Sequence, residues 1–555
     1  MKKQTLLEGI VPHPEELAKL YREKGYWQDI TLNDMMDNAI KKYGAKECLV
    51  FGDERVTYTQ LAEKVNRLAL HFLDLGLKPM ERVVFQLANS LENVYTLLAL
   101  FKIGVIPVLA LPAHRFTEIN HFVAHSQAVA TFTPTGKFDY VSMVEEVKAV
   151  QQSLKYLFVQ GPTTNGQVIS LEKLLDTPIE NKYPPDHLAQ FNPDPDQVAF
   201  MLLSGGTTGI PKLIPRTHNE YVYNIRQCGT VSGFDETTIF MAVLPMAHNY
   251  TLGCPGYLAS FYYGGKAVIA AGMDEETVFS TVAKEKVTVI ASAGPLDARW
   301  LASPVPAKYD TSSLKMIQNG GARLAPEMRL VLRKKFNVFP QEVFGTGEGM
   351  LNLVPLDASE EMVINSSGKP ISPGDLYKVV DEHFNEVPIG ETGELITRGP
   401  YTIHGYYKAP EQNKTSFTPD GYYRMGDIVR MNEAGYLFTE GRKKDIINRG
   451  GEKISCDEVE NYILANPKVE NVSLVAMPDE AFGEKACAFV MLKKGESLTF
   501  EELVGFLKKQ NIAAFKLPER LEIMESFPLS PAGKILKREL RELVTAKLAQ
   551  EKAQK

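Results

Sequence analysis

The stretch Leu203-Ser-Gly-Gly-Thr-Thr-Gly-Ile-Pro-Lys212 follows directly on the apolar run Val198 to Leu203. An apolar run that breaks at once into glycines reads as a strand ending in a loop. Gly205, Gly206 and Gly209 free the backbone to turn several N–H groups inward on one anion. Ser204, Thr207 and Thr208 add hydroxyl donors, and Lys212 adds positive charge. The spacing is not that of the common phosphate loop, in which a lysine directly follows the last glycine and a hydroxyl residue follows the lysine. Here Ile210 and Pro211 intervene, and Leu213 comes after the lysine. A P-loop kinase or ATPase is thus disfavoured. Read alone, the loop is as compatible with a flexible surface turn as with a phosphate cradle.

Upstream, Leu61, Val65, Leu68, Phe72 and Leu75 recur at steps of four and three, which predicts one helical face. Thr59 is the expected N-cap and Gly76 the expected C-cap. A strand-like run, Arg82 to Leu87, follows, then an apolar helix, then Val105 to Leu111. Alternating helices and short β-branched runs predict an α/β fold. The proline-rich stretch 182–195 reads as a loop between subdomains. From about 372 to 440, short strands and turns such as Asn-Glu-Ala-Gly predict a smaller β-rich subdomain. Beyond Gly441 the texture changes again. Asp457–Leu464 and Phe500–Lys508 read as helices, and Val472–Met477 and Ala486–Leu492 as strands. The expected organisation is therefore a large multi-subdomain N-terminal domain over 1–441, a hinge over 442–446, and a small α+β domain over 447–555.

The bulk properties limit the possible partners. The 555 residues carry a formal net charge of −7, which gives no global positive field for nucleic acid. Five dispersed cysteines without a C-x-x-C pair fit a reducing compartment and argue against a zinc site. No signal peptide is read at the N-terminus, so a cytoplasmic location is expected. The most apolar run, Val94 to Pro112, contains Lys102, Gly104 and Pro107. It is expected to be a buried helix-turn-strand, with no membrane partner.

Further motifs follow the loop in order. They are Leu244-Pro-Met-Ala-His248-Asn249-Tyr250, Phe344-Gly-Thr-Gly-Glu348-Gly, Tyr423-Arg-Met-Gly-Asp427, Glu440-Gly-Arg442-Lys-Lys-Asp445, Gly450-Gly-Glu-Lys453 and Pro528-Leu-Ser-Pro-Ala-Gly-Lys534. With Ser204–Lys212, this series resembles the adenylate-forming superfamily of acyl-CoA synthetases, luciferases and peptide-synthetase adenylation domains. Within it, the chain is most similar to the stand-alone aryl acid–AMP ligases of siderophore assembly.

The resemblance implies attack of a carboxylate oxygen on the α-phosphorus of ATP. Both reactants are anions, so charge must be neutralised and the two held in line. Lys534 matches the catalytic lysine of a small lid domain. Glu348 stands in the place of a Mg2+ ligand, a role that suits one carboxylate beside phosphate oxygens. The usual tyrosine and threonine of that motif are here Phe344 and Gly347. The resemblance further assigns Gly321, Ala322, Phe344, Gly345 and Thr346 to the nucleotide, and Asp427 and Arg442 to its ribose. A carboxylate accepting two ribose hydroxyls makes charge-assisted bonds of roughly 1.5–3 kcal/mol each. Lys444 matches the hinge, and Gly450–Lys453 the segment serving thioester formation. His248 is placed with Lys534 and Lys453 among the catalytic residues.

For the acyl pocket, the resemblance names Asn249, Tyr250, Cys254, Gly320, Val343 and Leu351. Amino-acid-activating relatives carry an aspartate at the position of Asn249, and an amide cannot neutralise a buried ammonium. Leaving that charge unpaired would cost several kcal/mol, so a small aromatic acid without an α-amine is expected. Gly320, Gly321 and Ala322 are expected to leave a flat slot for its ring. Cys254 and Leu351 replace the serine and valine usual in dihydroxybenzoate-activating relatives and tilt the reading towards salicylate; 2,3-dihydroxybenzoate stays open. The acceptor is either an aryl carrier protein acting in trans or coenzyme A. A non-catalytic nucleotide-binding protein is the reading from another class, and retention of both Lys534 and Glu348 argues against it.

Overall fold

The computed structural model describes residues 6–553 apart from 164, 205–210, 322, 443–444, 450–451, 480–481, 511, 513 and 531–532. The chain forms two compact units. One runs to Ser204, resumes up to Tyr377 and adds Thr397–Arg424; the other holds Lys378–Ile396 and Met425 onward.

The first unit carries two sheets among its described residues. One has seven strands in the order Ile169–Ser170, Tyr156–Gln160, Ala130–Pro134, Arg82–Phe85, Ile106–Leu109, Val198–Leu203 and Leu213–Thr217. Its first six strands are parallel and the last is antiparallel. Ile106, Val108 and Leu109 are all buried, as expected of strands covered on both faces. The other sheet has nine strands. Its inner run Phe339–Thr346, Met316–Gly320, Val289–Ser292, Ile239–Ala242, Lys266–Ile269 and Glu47–Phe51 is parallel, with antiparallel strands at both edges. The α/β class expected from the alternation is the one observed.

The helix expected from residue 59 is Tyr58–Asp74, with Leu61, Val65, Leu68 and Phe72 on its buried side. Its N-cap is Thr57, not Thr59. Thr57 accepts from the Gln60 N–H at 3.2 Å, and the Gln60 side chain accepts from the Thr57 N–H at 2.9 Å, a reciprocal box that Thr59 cannot form from inside the first turn. Leu75 is the C-cap, and Gly76 follows it at φ +99. There the Leu77 N–H bonds to the Phe72 carbonyl and the Gly76 N–H to that of Leu73, as a left-handed helix exit requires.

The run Val94 to Pro112 is the helix Leu91–Lys102, a turn at Gly104 and the strand Ile106–Leu109. Among the described residues no helix is long and apolar enough to cross a membrane. Residues 182–195 do not separate subdomains. They contain short 3-10 turns and lead into Val198–Leu203, which pairs with Ile106–Leu109 inside the same sheet.

Leu376–Val380, Thr392–Arg398, Tyr423–Met431 and Leu437–Arg442 make a four-stranded sheet, most of whose residues belong to the second unit. A five-stranded sheet follows, with the helices Cys456–Leu464, Phe500–Lys509 and Lys537–Ala553. The strand Leu437–Arg442 groups with the C-terminal residues rather than ending a domain at 441. The Ser455 hydroxyl donates to the Glu440 carbonyl across the expected boundary.

Candidate functional site

The glycine-rich loop joins two antiparallel strands at a sheet edge. Leu203 pairs with Leu213, and Ser204 and Lys212 close the base of the loop. The Ser204 N–H donates to the Lys212 carbonyl at 3.0 Å, and the Lys212 N–H donates to Ser204 Oγ at 2.9 Å. Gly205, Gly206, Thr207, Thr208 and Gly209 lie outside the described residues, as does Ala322.

The Lys212 ammonium lies 5.1 Å from the centre of the Tyr406 ring. The Tyr406 hydroxyl in turn donates to Glu348 Oε1 at 2.7 Å. Burial, and then the Glu348 carboxylate, push the Tyr406 pKa up, which keeps that hydroxyl a donor. Tyr406 thus stands next to both the lysine and the buried carboxylate, which come from motifs far apart in the chain. Glu348 sits at the tip of the hairpin formed by Phe339–Thr346 and Met350–Leu353. Gly349 beside it has φ +98, and a Cβ there would lie 1.7 Å from the Tyr401 carbonyl oxygen. The Thr346 hydroxyl is buried with no hydrogen-bond partner among the described residues.

Arg216 anchors this tip from beneath. Its guanidinium donates to the Gly347 carbonyl at 2.8 Å and the Tyr401 carbonyl at 3.1 Å, and pairs with Glu220 at 2.8 Å. Glu220 also accepts from the Thr217 N–H at 2.9 Å and lies 3.2 Å from His13 Nε2. Both members of the ion pair are buried. Removing one partner of such a pair costs about 3–5 kcal/mol, because the other charge is left unpaired. Neither residue was singled out from sequence, although Thr217-x-x-Glu220 before a helix is a readable capping box.

A second group of residues surrounds Asn249. The short helix Asn249–Gly253 starts at His248, an exposed N-cap whose Nδ1 accepts from the Tyr250 N–H at 3.3 Å. The Tyr221 hydroxyl donates to Asn249 Oδ1 at 2.9 Å. Asn224 donates to the Gly253 carbonyl at 2.7 Å and to the buried Cys254 thiol at 3.6 Å. Burial, and then the neighbouring Cys254, push the Cys228 thiol pKa well up. Tyr250 bounds the slot expected at Gly320: a Cβ at 320 would lie 2.9 Å from its ring. Glycine is needed there because the neighbouring ring leaves no room for a side chain. Gly321, at φ +92, faces open space. Val343 stands beside Gly320 in the parallel register, and Leu351 opposite Gly345; both side chains are buried.

In the second unit, Asp427 and Arg442 are direct cross-strand partners, and Asp427 is buried. Lys453 lies opposite Asn448 in a two-stranded antiparallel pairing. Lys534 is exposed on a tight turn, where the Ser530 N–H donates to its carbonyl at 2.7 Å and its own N–H donates to Ser530 Oγ at 3.1 Å. Lys444, Gly450, Gly451, Pro531 and Ala532 lie outside the described residues.

A glycine-rich segment that starts at the carboxyl end of Val198–Leu203, in a largely parallel sheet, defines the class first: an α/β protein with its candidate site where such sheets bind ligands. The chain belongs to the AMP-binding enzyme family. The profile of that family matches residues 36–407, and the profile of the AMP-binding enzyme C-terminal domain matches 458–534. The 2,3-dihydroxybenzoate-AMP ligase of Bacillus subtilis strain 168 is 42% identical, over 98% of this chain and 99% of that protein. A salicylyl-CoA synthase / salicylate adenylyltransferase of Streptomyces sp is 40% identical, over 97% and 98%. The apo structure of Mycobacterium smegmatis MbtA superposes with a TM-score of 0.74 at 35% identity, covering 97% of this chain and 100% of that one. The resemblance to adenylate-forming enzymes read from the motifs is borne out.

Proposed function

We propose that this chain uses ATP to convert an ortho-hydroxylated aryl acid, salicylate or 2,3-dihydroxybenzoate, into its aryl adenylate. The aryl group then passes to the phosphopantetheine thiol of an aryl carrier protein acting in trans. The observation that carries this reading is Asn249, an amide held by Tyr221 at 2.9 Å where an amino-acid-activating enzyme needs a carboxylate. The names of the Bacillus and Streptomyces relatives support the same substrate class.

In the first half-reaction a carboxylate oxygen bonds to the α-phosphorus, the bond to the bridging oxygen breaks, and pyrophosphate leaves. Ser204, Thr207, Thr208 and Lys212, with the backbone of Gly205, Gly206 and Gly209, hold the phosphates. Gly321, Ala322, Phe344, Gly345 and Thr346 line the nucleotide, and Asp427 and Arg442 hold its ribose. Lys534 supplies positive charge between the two anions. Glu348 fits Mg2+: its buried carboxylate, held by the Tyr406 hydroxyl and also approached by that of Tyr423, is the hard oxygen ligand that such a cation would take beside phosphate oxygens. When bound, the ion supplies charge neutralisation to the departing pyrophosphate. In the second half-reaction a thiol sulfur attacks the acyl carbon and AMP leaves, with Lys453 serving this step, Lys444 as the pivot and His248 at the edge of the acyl pocket. Buried, free cysteines are in keeping with a cytoplasmic setting.

A second reading keeps the adenylate but takes coenzyme A as the acceptor; the Streptomyces relative, whose name carries both activities, favours it. The test is ATP–pyrophosphate exchange with salicylate, 2,3-dihydroxybenzoate, benzoate and a panel of amino acids. Exchange with the hydroxylated acids is expected. Exchange with amino acids and none with aryl acids would overturn the proposal.

A further inference from the structure

The helix His218–Val231 presents Tyr221, Asn224 and Cys228 at steps of three and four, hence on one face. All three are buried and face the Asn249–Cys254 segment. Tyr221 meets Asn249, and Asn224 meets Gly253 and Cys254. This stripe forms the layer behind the acyl-pocket wall.

Tyr221 has little freedom. The Arg216 guanidinium lies 4.9 Å from its ring centre on one side. Phe200 meets it edge-on at 4.6 Å between ring centroids. Gly253 approaches so closely that a Cβ there would stand 2.6 Å from the Tyr221 hydroxyl. That hydroxyl donates to Asn249 Oδ1 at 2.9 Å. Burial pushes its pKa well above that of an ordinary phenol, so the proton stays on. A buried hydroxyl proton with one acceptor in reach donates to it. The amide of Asn249 is thereby held with Oδ1 turned to Tyr221 and its Nδ2 end on the side of Cys254, which it also hydrogen-bonds and which the aryl-acid reading places in the acyl pocket.

We infer that Tyr221 is a positioning residue that makes Asn249 a donor towards the acyl pocket, so the enzyme selects acids bearing an ortho oxygen acceptor over acids bearing an ortho N–H donor. This rests on the aryl-acid reading above and deepens it. An ortho-hydroxybenzoate donates its phenolic proton internally to its own carboxylate and leaves oxygen lone pairs for an incoming N–H. An ortho-aminobenzoate of nearly the same size presents N–H groups, which would face the N–H groups of Asn249. With Tyr221 replaced by phenylalanine the amide loses the donor that fixes Oδ1, and beside the Cys254 thiol, which can donate or accept, it can turn over to meet either group.

The experiment compares kcat/KM in ATP–pyrophosphate exchange for three acids: the better of salicylate and 2,3-dihydroxybenzoate, anthranilate, and benzoate, which has no ortho group. The unmodified chain and Tyr221→Phe are both measured. The unmodified chain is expected to prefer the hydroxy acid over anthranilate. In Tyr221→Phe that ratio should shrink by about tenfold, the worth of one oriented hydrogen bond, while benzoate changes less than threefold. A loss shared equally by all three acids would mean that Tyr221 only supports the fold, and would overturn the inference. So would an unchanged ratio. If Tyr221→Phe does not fold, equal use of the hydroxy acid and anthranilate by the unmodified chain overturns it alone. Exchange with no aryl acid at all sinks the proposed function itself, a result distinct from the others.

Discussion

Glu348 and Lys534 differ in how much the surrounding structure supports them. Glu348 is buried, hydrogen-bonded by Tyr406, and set on a tip that only glycine allows at 349. Its place was legible because the acidic motif is contiguous; the Tyr406 and Arg216 that hold it were not, since both arrive from elsewhere in the chain. Lys534 is exposed on a turn, and the role proposed for its side chain is to bring charge to two anions. The expected outcome for Lys534→Ala follows. ATP–pyrophosphate exchange should fall at least a hundredfold, on the scale of losing an electrostatic contact to the transition state. ATP should still bind within a few-fold, because the loop at Ser204–Lys212 and the buried Asp427 remain. Exchange kinetics and calorimetric titration with ATP check both halves. Wild-type exchange in that variant would remove Lys534 from the chemistry.

The elements show which kinds of information a linear reading reaches. Periodicity placed Leu61, Val65, Leu68 and Phe72 on one buried face, because a 3.6-residue repeat is local. The N-cap moved from Thr59 to Thr57 because a cap is chosen by a reciprocal bond to Gln60, which periodicity does not encode. The pairing of Asp427 with Arg442 depends on strand register, and the contact of Tyr221 with Asn249 on packing between separate helices. The helix that carries Tyr221 also makes stability depend on pH. Its first residue, His218, is buried, accepts from the Leu32 N–H through Nδ1 at 3.2 Å, and has its pKa pushed down to about 3 by burial. The positive end of the helix dipole also opposes a charged imidazole there. Above about pH 6.5, the ordinary histidine value, the ring is neutral folded or unfolded and contributes no pH dependence. Between about 6.5 and 3 the unfolded chain takes up a proton that the native ring refuses, so stability falls as pH falls. His218→Asn keeps an acceptor and cannot titrate. Its melting temperature should therefore drop less steeply than that of the unmodified chain from pH 6.5 to 4, whatever its loss at pH 7. Parallel slopes would mean that His218 does not protonate on unfolding in that range.

At the scale of the whole molecule, the sequence reading and the contacts divide the chain differently. Composition places a boundary at Gly441, whereas the contacts group Met425–Arg442 with the C-terminal residues. The cores of the second unit decide between autonomy and dependence. One is built from Ile447, Ile454, Val459, Leu474, Val490 and Leu507 with their neighbours, all lying between 447 and 521. The other joins Val475, Phe489, Phe527, Leu540 and Val544 under the helix Lys537–Ala553. The buried side chains of both cores come from 447 or later. The ion pair of Asp445 with Arg541 also survives a cut before 445. The hairpin 423–442 adds the hydrogen bond from Ser455 to Glu440, worth about 1 kcal/mol net, and lays its strand Leu437–Arg442 beside the helix Cys456–Leu464 without contributing a side chain to either core. A domain with its own cores and about 110 residues has enough buried surface to fold alone. A fragment of residues 445–555 should therefore melt cooperatively, with a midpoint within about 8 °C of a fragment of 425–555; for a domain of this size 1 kcal/mol corresponds to a shift of about 4–8 °C. Circular dichroism melts and amide-proton dispersion in NMR spectra distinguish the cases. A 445–555 fragment without cooperative unfolding, beside a well-folded 425–555, would show that the hairpin belongs to the folding unit. It would also place the true boundary before the cross-strand pair Asp427 and Arg442, so that the ribose contacts proposed for them would be carried by the part of the chain that also carries Lys534.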